Sequence, residues 1–373
     1  MRFTFLTLIA SCVLLLFQNC SAPLTTPSSS TANSPTETQE PPLALSFFVD
    51  SKSTDTGNIK NESDGIGIDA QGNLIMGGPF SGTRTFAGLA LKSVGPQDAY
   101  VVKLSPSGQL LKSLIVSSAN ALGVENIFDL VVDKAGNTYI NGQYSHELML
   151  GSFKLTPRGP SDHFLAKLDT NLTVVWAKSF GGIGKDGGNE IALAEDSTLI
   201  LSAMSDGYDF PGNTQNLAGT AQDGYLLKVS ASDGAVLMVK QFGGPGDQQV
   251  RAIAADIKGN MLVGLEYNGT ATFESTQVVA APGSGSFRAN KDGALFYLDA
   301  SGKLIWHKQV STANGLDNFR AAGFDSHGDI YASGVHATGA RFIGGLVGAI
   351  PQVELSSVAT DKSYDQFVVK YAQ

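Results

Sequence analysis

The chain repeats one two-part sequence pattern five times. The first part is Asp, two variable residues, Gly and Asn, and it occurs at residues 69–73, 133–137 and 256–260, as DSHGD at 325–329 and as a degenerate AEDST at 194–198. The second part is Asp followed by small, aromatic and apolar residues and then Lys, and it begins at Asp98, Asp162, Asp223, Asp292 and Asp365. Each unit of such an array must bury its faces against its neighbours, so the repeat predicts a row of similar packed units.

Each unit predicts four β-strands and no helix. In the first unit these strands are residues 66–69, 73–79, 99–104 and 109–116. The Asp-x-x-Gly-Asn group predicts a hairpin between the first two strands, in which the Asp carboxylate caps the turn and Gly takes the left-handed conformation. Turns such as DASG at residues 299–302 predict the same chemistry between strands three and four.

The residue sizes predict a radial arrangement of these units. First strands are crowded with small residues, as at residues 252–255 (AIAA), whereas fourth strands carry bulk such as Trp176 and Trp306. Backbones that converge on an axis require small side chains, and an outer rim accepts large ones. We therefore predict an all-β fold, a β-propeller of five blades with four strands each. The chain ends after a third strand, so residues 43–50 are predicted to complete the last blade and close the ring.

The first 19 residues have the composition of a secretory signal peptide. Arg2 supplies the positive charge, and residues 3–17 form an apolar stretch too short to span a bilayer comfortably. The LFQNC sequence that ends at Cys20 resembles a bacterial lipoprotein processing site, of the looser kind seen in spirochaete lipoproteins. This resemblance implies that Cys20 is lipidated and anchors the protein to a membrane. Ordinary signal cleavage after Ala22 is the alternative.

Composition supports an exported domain on a tether. Cys12 lies inside the signal, so Cys20 is the only cysteine of the mature chain and no intramolecular disulfide is predicted. Residues 20–42 are rich in Ser, Thr and Pro and predict an extended tether, and residues 43–373 predict the propeller domain. Acidic residues exceed basic ones by 34 to 25, which argues against a nucleic-acid partner.

Residues 162–169 (DHFLAKLD), 175–182 (VWAKSFGG) and 136–142 (GNTYING) resemble the bacterial β-propeller repeat called SBBP. The resemblance covers about residues 43–373 and implies a propeller in an exported protein. It implies no reaction, and the family name implies seven blades where this chain has five units. Residues 298–306 (LDASGKLIW) also resemble a quinoprotein-type propeller repeat, which is clear only once here.

The sequence contains no catalytic motif, and no catalytic residue, cofactor or metal site is predicted. The five histidines are scattered without metal-ligand spacing. The Asp residues that begin the second part of each repeat lack the clustered oxygens of a calcium loop, so we interpret them as turn caps. Four lysines at the end of this part are interpreted as structural: Lys103, Lys167, Lys228 and Lys370.

One repeated feature suggests a binding surface. An acid precedes each first hairpin by several residues, and the predicted loops would place these acids around one mouth of an axial channel: Glu62, Glu125, Asp186, Asp247 and Asp317. Such a ring would attract cations or a basic partner segment. The alternative is that they are solvated loop acids in an acidic protein. The long loops between strands two and three, including residues 280–291 and 344–364, are expected on the same face.

These observations predict a monomeric, non-catalytic lipoprotein of the cell envelope, in the outer membrane on its periplasmic or surface side. Its membrane partner would be bound through the N-terminal lipid, and its propeller would act as a binding or scaffold module for a protein or glycan. Two alternatives remain: a propeller enzyme that acts on carbohydrate, and an envelope-assembly lipoprotein with a quinoprotein-like propeller.

Overall fold

A computed structural model describes residues 51–53, 64–195, 197–206, 222–281, 291–312, 315–337, 341–345, 353–354 and 365–371 of the 373-residue chain. The predicted signal peptide, tether and first strand, over residues 1–19, 20–42 and 43–50, lie outside this part. All regular structure in the described residues is β-strand, which confirms the all-β prediction. This part accordingly contains no helix that could cross a membrane.

The strands follow the repeats in chain order. The first stretch holds β1 (Ser51–Ser53), β2 (Gly65–Ile68), β3 (Leu74–Phe80), β4 (Thr83–Phe86), β5 (Leu89–Lys92), β6 (Asp98–Leu104) and β7 (Leu110–Val116). Unit two holds β8 (Glu125–Val132), β9 (Thr138–Tyr144), β10 (Leu148–Leu150), β11 (Phe153–Leu155), β12 (Asp162–Leu168) and β13 (Val174–Phe180). Unit three holds β14 (Asp186–Leu193), β15 (Thr198–Ser205), β16 (Asp223–Ser230) and β17 (Val236–Phe242).

The last two units complete the described chain. Unit four holds β18 (Gln248–Ala255), β19 (Met261–Tyr267), β20 (Thr270–Phe273), β21 (Thr276–Val279), β22 (Asp292–Leu298) and β23 (Leu304–Ser311). Unit five holds β24 (Asn318–Phe324), β25 (Ile330–His336), β26 (Arg341–Gly345), β27 (Val353–Glu354) and β28 (Asp365–Tyr371).

Each unit folds into an antiparallel sheet in which sequential strands are neighbours. The sheets are β2-β3-β6-β7, β8-β9-β12-β13, β14-β15-β16-β17 and β18-β19-β22-β23, the last of which continues into β26 and β27 of unit five, and unit five also contributes β24-β25-β28. The predicted strand order is therefore correct in the first four units. Units one, two, four and five also insert a short hairpin between their second and third main strands, where the sequence predicted only loops.

The inserted hairpins of units two, four and five form isolated β-bridges or strand pairs with the unit that precedes them. In unit five, β26 pairs with β23, the fourth strand of unit four. Isolated bridges from Ser118 to Leu148 and from Gly243 to Thr272 join the hairpins of units two and four to the ends of β7 and β17. In unit one, β4 pairs instead with β1. Strand β1 thus lies where the fourth strand of a preceding unit lies elsewhere in the chain.

The turn chemistry between strands one and two is as predicted. Asp69 Oδ1 accepts hydrogen bonds from the backbone N–H groups of Gln71 and Asn73 at 3.0 and 2.9 Å, and Asn73 Nδ2 donates to Asp69 Oδ2 at 2.8 Å. Gly72 has φ 76°. In the degenerate copy, Ser197 takes this left-handed conformation with φ 60°. The carboxylate cap and the left-handed residue together close the hairpin.

The apolar core lies between consecutive sheets. One buried cluster joins units one and two, and others join units two and three, three and four, and four and five. First strands contact first strands in the order β2, β8, β14, β18, β24. Neighbouring blades of a β-propeller contact one another in the same sequential order. The described sheets form a row of five that does not by itself close into a ring.

Repeated lysines connect neighbouring units, in agreement with their predicted structural role. Lys103 Nζ lies 2.9 Å from Asp69 Oδ2 and donates to the backbone oxygen of Thr170, in the next unit, at 2.9 Å. Lys167 Nζ likewise donates to the backbone oxygen of Ala231 at 3.4 Å. Each lysine therefore connects a third strand to a turn of the following unit.

Candidate functional site

The predicted acidic ring is mostly buried. Glu62 lies outside the described residues. Glu125 and Asp186 are the first residues of β8 and β14, while Asp247 and Asp317 directly precede β18 and β24. All four are buried, with at most 7% of their surface exposed. The structure therefore corrects the expectation of exposed loop acids, because these residues lie at sheet junctions and not on a solvated rim.

We call these four residues the entry acids, because each lies where the chain enters the first strand of a unit. At each junction between consecutive units, the entry acid lies near the Asp that begins the third strand of the preceding unit. Burial raises the pKa of Glu125 to about 7, and the charge of Asp98 contributes to the rise. Burial likewise raises the pKa of Asp317 to about 7, with a contribution from Asp292. Such pairs bury two carboxyl groups close together. A proton shared between them lowers the free-energy cost of burying like charges.

Backbone N–H groups hold these carboxyl groups in place. Gly182 donates to Asp186 Oδ2 at 2.6 Å, Gln222 donates to Asp247 Oδ1 at 3.1 Å, and Ala337 donates to Asp317 Oδ1 at 2.8 Å. Within the described residues, no group of three or more His, Cys, Asp or Glu side chains is placed to hold a metal ion. The arrangement fixes the loops between sheets and offers no open surface to a partner.

A different set of residues meets along the row of first strands. In units two to five, the pairing of strand one with strand two shifts at a common place, which marks a β-bulge. The shift skips one residue in units two, four and five and two residues, Asn189 and Glu190, in unit three. The bulge lies five residues before the turn Asp position of each unit, and in unit one the same position directly precedes β2. The residues at this position, which we call the bulge positions, are Asp64, Phe128, Asn189, Arg251 and Arg320.

The bulge positions are linked from one unit to the next. Asp129, beside Phe128, accepts a hydrogen bond through Oδ2 from the backbone N–H of Ile191 in unit three at 3.0 Å. Asn189 Nδ2 donates to the backbone oxygen of Val250 in unit four at 3.1 Å. Both contacts cross from one first strand to another, so the strands hold these side chains in fixed relative positions.

Glu190, next to Asn189, has an unusual electrostatic environment. Burial raises its pKa to about 8, the carboxylates of Asp129 and Asp64 add to the rise, and Arg251 opposes it. Burial also raises the pKa of Asp129 to about 6. Groups from units one to four thus influence one another across the inner edge of the row. Perturbed titratable groups that converge in this way are typical of functional sites.

A second network joins units four and five around Glu266, which is 2% exposed. Its carboxylate lies 2.6 Å from Lys291 Nζ and accepts a hydrogen bond from Asn318 Nδ2 at 2.6 Å. Arg251 and Arg320 lie 3.4 and 3.5 Å from the same carboxylate. Burial alone would raise the pKa of Glu266, but the three cations outweigh burial and lower the pKa.

His163 is fully buried on β12 and contacts Asn141 through Nε2. Burial lowers the pKa of His163 to about 3, so the ring is neutral. It packs against Phe180 inside the protein, so its position is structural.

The sequence held a signal for the bulge positions that repeat matching overlooked. The four residues that follow the bulge position in each unit are mostly Gly, Ala, Ile, Leu or Val, whereas the position itself carries Asp, Phe, Asn or Arg. A search for residues common to all repeats discards this position, because only units four and five carry the same residue there.

No protein family model matches the chain, and no curated protein matches it in sequence. Solved structures match with low similarity. A protein of unknown function from Bacteroides caccae is 8% identical, with a TM-score of 0.31, over 68% of this chain and 81% of that one. A gluconolactonase from Xanthomonas campestris is 12% identical, with a TM-score of 0.33, over 73% and 82%. A quinohemoprotein alcohol dehydrogenase from Pseudomonas putida is 8% identical, with a TM-score of 0.34, over 73% and 55%. At these scores the matches carry no argument about function.

Proposed function

We propose that this protein is a binding module of the cell envelope, and that its ligand, a protein or glycan, binds along the bulge positions. One observation carries the proposal: the framework repeats, but the five bulge positions present four different residue types, with Arg shared only by units four and five. Bulges re-aim side chains and occur often beside functional sites. A rigid repeated frame with varied side chains at one register suits recognition, since the units contribute different contacts.

The chemistry of these side chains supports a polar ligand. Phe128 is half-buried and supplies an aromatic face, Asn189 supplies an amide, and Arg251 supplies a partly exposed guanidinium. Aromatic faces beside convergent polar groups are a common arrangement in binding pockets.

The binding proposal is tested with a panel of purified envelope glycans and proteins. We expect saturable binding without turnover, and we expect Phe128→Ala to weaken it at least about tenfold, as loss of a central aromatic contact does. Ile257→Ala, whose side chain is 78% exposed in the turn that follows β18, serves as the control and should bind normally. Equal binding by both variants would show that the ligand does not bind at the bulge positions.

A carbohydrate-active enzyme is the second candidate, and Glu190 favours it. Its pKa of about 8 beside Asp129, whose pKa is about 6, is the kind of separation that divides two carboxyl groups into acid and base. If the protein is an enzyme, glycans of the panel are cleaved and Glu190→Gln abolishes cleavage while binding persists. Absence of turnover by the native protein favours the binding module.

We propose further that the five units form a closed ring, with residues 43–53 as the fourth strand of the last blade. Strand β1 supports this, because it pairs with the unit-one hairpin as β23 pairs with the hairpin of unit five. Burial supports it too. Ile66 is 66% exposed, whereas the equivalent Leu130, Ile191 and Ile253 are at most 9% exposed. The end face of unit one lacks the contact that the other units have.

We propose finally that Cys20 carries a lipid anchor in the cell envelope. The support is the signal-like N-terminus and the Ser/Thr/Pro-rich segment that follows it. Intact mass of the protein purified from its native membrane should give a diacylated or triacylated chain that begins at Cys20. Cys20→Ala should release the protein from membranes, and a lipid-free chain beginning near Pro23 would contradict the anchor.

A further inference from the structure

Arg251 and Arg320 occupy the bulge positions of adjacent units and share one carboxylate. That carboxylate, on Glu266, already has short contacts of 2.6 Å with both Lys291 and Asn318. The arginines approach it only at 3.4 and 3.5 Å, beyond the usual length of a charge-assisted hydrogen bond. Glu266 therefore orients the two arginines without saturating their donors.

The donors of the two arginines remain available for a ligand. Arg320 Nε donates to Asn318 Oδ1 at 3.0 Å, which fixes the plane of its guanidinium. The Arg320 side chain is nevertheless 46% exposed, and that of Arg251 is 29% exposed. Arg251 Nε is buried and has no acceptor within the part of the chain that the structure describes. A buried charged donor without an acceptor is costly. An anion bound at the exposed part of the same guanidinium would offset some of this cost through its charge.

The surrounding charges favour a monoanion over a polyanion. Three cations surround one carboxylate at Glu266, which leaves a positive surplus. Asp129 lies near Glu190, whose pKa is raised by burial and lowered by Arg251, and the ionised Asp129 carboxylate would repel a dianion more strongly than a carboxylate. The planar fork of Arg matches the two oxygens of a carboxylate.

We propose that Arg251 and Arg320 bind a carboxylate of the ligand, and that this ligand is an acidic sugar. The inference rests on the proposed binding function and specifies its chemistry. The side chains at the neighbouring bulge position suggest that the carboxylate belongs to a sugar. Asn189 Nδ2 donates to the backbone oxygen of Val250, the residue before Arg251, and Arg251 influences the pKa of Glu190, so both side chains lie close enough to offer polar groups for hydroxyls. A simple carboxylate would use the arginines and leave those side chains without a role.

The test compares D-glucuronate, D-glucose and acetate by isothermal titration against the full-length protein in detergent. We expect glucuronate to bind saturably and both other probes to bind at least about tenfold more weakly, because each lacks one half of the recognised group. Arg251→Gln and Arg320→Gln should each weaken glucuronate binding by about tenfold or more. Both variants leave Lys291 and Asn318 on Glu266, and equal urea midpoints would verify that the fold persists.

Lys134→Gln is the matched control, since its side chain is 87% exposed and pairs with Glu195 away from the bulge positions. It should bind glucuronate as the native protein does. Equal binding of glucose and glucuronate, full affinity in the arginine variants, or no binding of glucuronate would each overturn the inference. If acetate bound as tightly as glucuronate, the assignment of the ligand as a sugar would be overturned. If glycans bind and Phe128→Ala weakens them while the arginine variants do not, the proposed function stands and only this inference fails.

Discussion

At the scale of single residues, the turn aspartates combine a local cap with a contact to a neighbouring strand of the same unit. Asp69 caps its turn and also pairs with Lys103, and both side chains are at most 9% exposed. Burial alone would raise the pKa of Asp69, but hydrogen bonds from Lys103 and Asn73 outweigh burial and lower it to about 2. Asp133 caps the equivalent turn and receives a hydrogen bond from Tyr139 instead of a lysine.

This difference gives a matched pair of variants. Asp69→Asn keeps part of the cap but leaves Lys103 without its carboxylate, so we expect a loss of about 2 kcal/mol in the free energy of unfolding. Asp133→Asn disturbs the same cap without orphaning a cation and should cost about half as much. Urea unfolding followed by circular dichroism measures both. Equal losses would mean that the ion pair adds nothing to the cap.

Turn residues were predictable from sequence because their chemistry is local. The Asp and Gly of the first hairpin act within five residues, and even Ser197 follows the repeat into the left-handed region. The entry acids were not predictable in the same way. Their burial depends on a neighbouring sheet, and an acid such as Glu125 in a polar segment looks solvated until that sheet is placed against it.

At the scale of elements, the bulge on each first strand requires a glycine or another small residue opposite. A Cβ on Gly334 would lie 1.8 Å from the backbone oxygen of Asn318, just before the bulge of β24. Gly323, on β24 itself, has open space around its Cβ position. We expect Gly334→Ala to destabilise the protein by about 3 kcal/mol, since backbone must move to relieve the overlap.

Gly323→Ala is the control and should be neutral or slightly stabilising, because it restricts the unfolded chain without a clash. The urea midpoint and the unfolding slope are the observables for both variants. A native midpoint for Gly334→Ala would show that the bulge can relax, and it would weaken the argument that the bulges hold the arginines in fixed positions.

Strand bounds were predictable to within about a residue in unit one, since alternation and turn residues mark both ends of each strand. The inserted hairpins were not predicted. Strands such as β10 (Leu148–Leu150) have three residues, and their pairing depends on the neighbouring unit as much as on their own sequence. The bulges escaped prediction because the residue at the bulge differs among most units, so a comparison of the repeats passes over that position.

At the scale of the whole molecule, the buried carboxyl groups set the pH dependence of stability. Glu125 and Asp317 have pKa values raised to about 7, and Asp223 has one raised to about 6. A raised carboxyl pKa stabilises the fold below the unfolded value, near 4, and this stability is lost as pH rises through the folded value. His163 acts oppositely, because its lowered pKa costs stability as pH falls from about 6.5 toward 3.

These three carboxyl groups, together with Asp129 and Glu190, whose raised pKa values act in the same direction, outweigh one histidine between about pH 5 and pH 8. Stability should therefore fall over this range by at least about 2 kcal/mol. Urea midpoints at both pH values measure the change. Glu125→Gln should flatten the profile, whereas Glu147→Gln, at a side chain 54% exposed, should leave it unchanged. A midpoint that rises toward pH 8 would contradict protonated carboxyl groups at the junctions.

The sequence suggests that the five units close into a ring. Two exposed residues make this closure testable. The residue three positions after the third-strand Asp is fully buried in units one to four, as Val101 and Leu295 illustrate, yet Val368 in unit five is 71% exposed. Ile66 is exposed at the opposite end of the row. At internal junctions the equivalent pairs, such as Val101 and Leu130, lie in one apolar cluster. Closure would bring Val368 and Ile66 together in the same way.

We therefore expect Ile66→Cys with Val368→Cys to be joined within one chain by a short bis-maleimide, in a background with Cys12 and Cys20 replaced by Ser. Electrophoresis after protease cleavage between the two positions distinguishes a link within a chain from a link between chains. Ile183→Cys with Val368→Cys is the control and should not be joined, because Ile183 is 79% exposed at the junction of units two and three. A link between chains would mean that two copies cover each other's end faces, and no link would mean that the row stays open. Either result would replace the closed five-bladed ring, whereas the expected link places the bulge positions around a single axis, where one ligand could contact all five units.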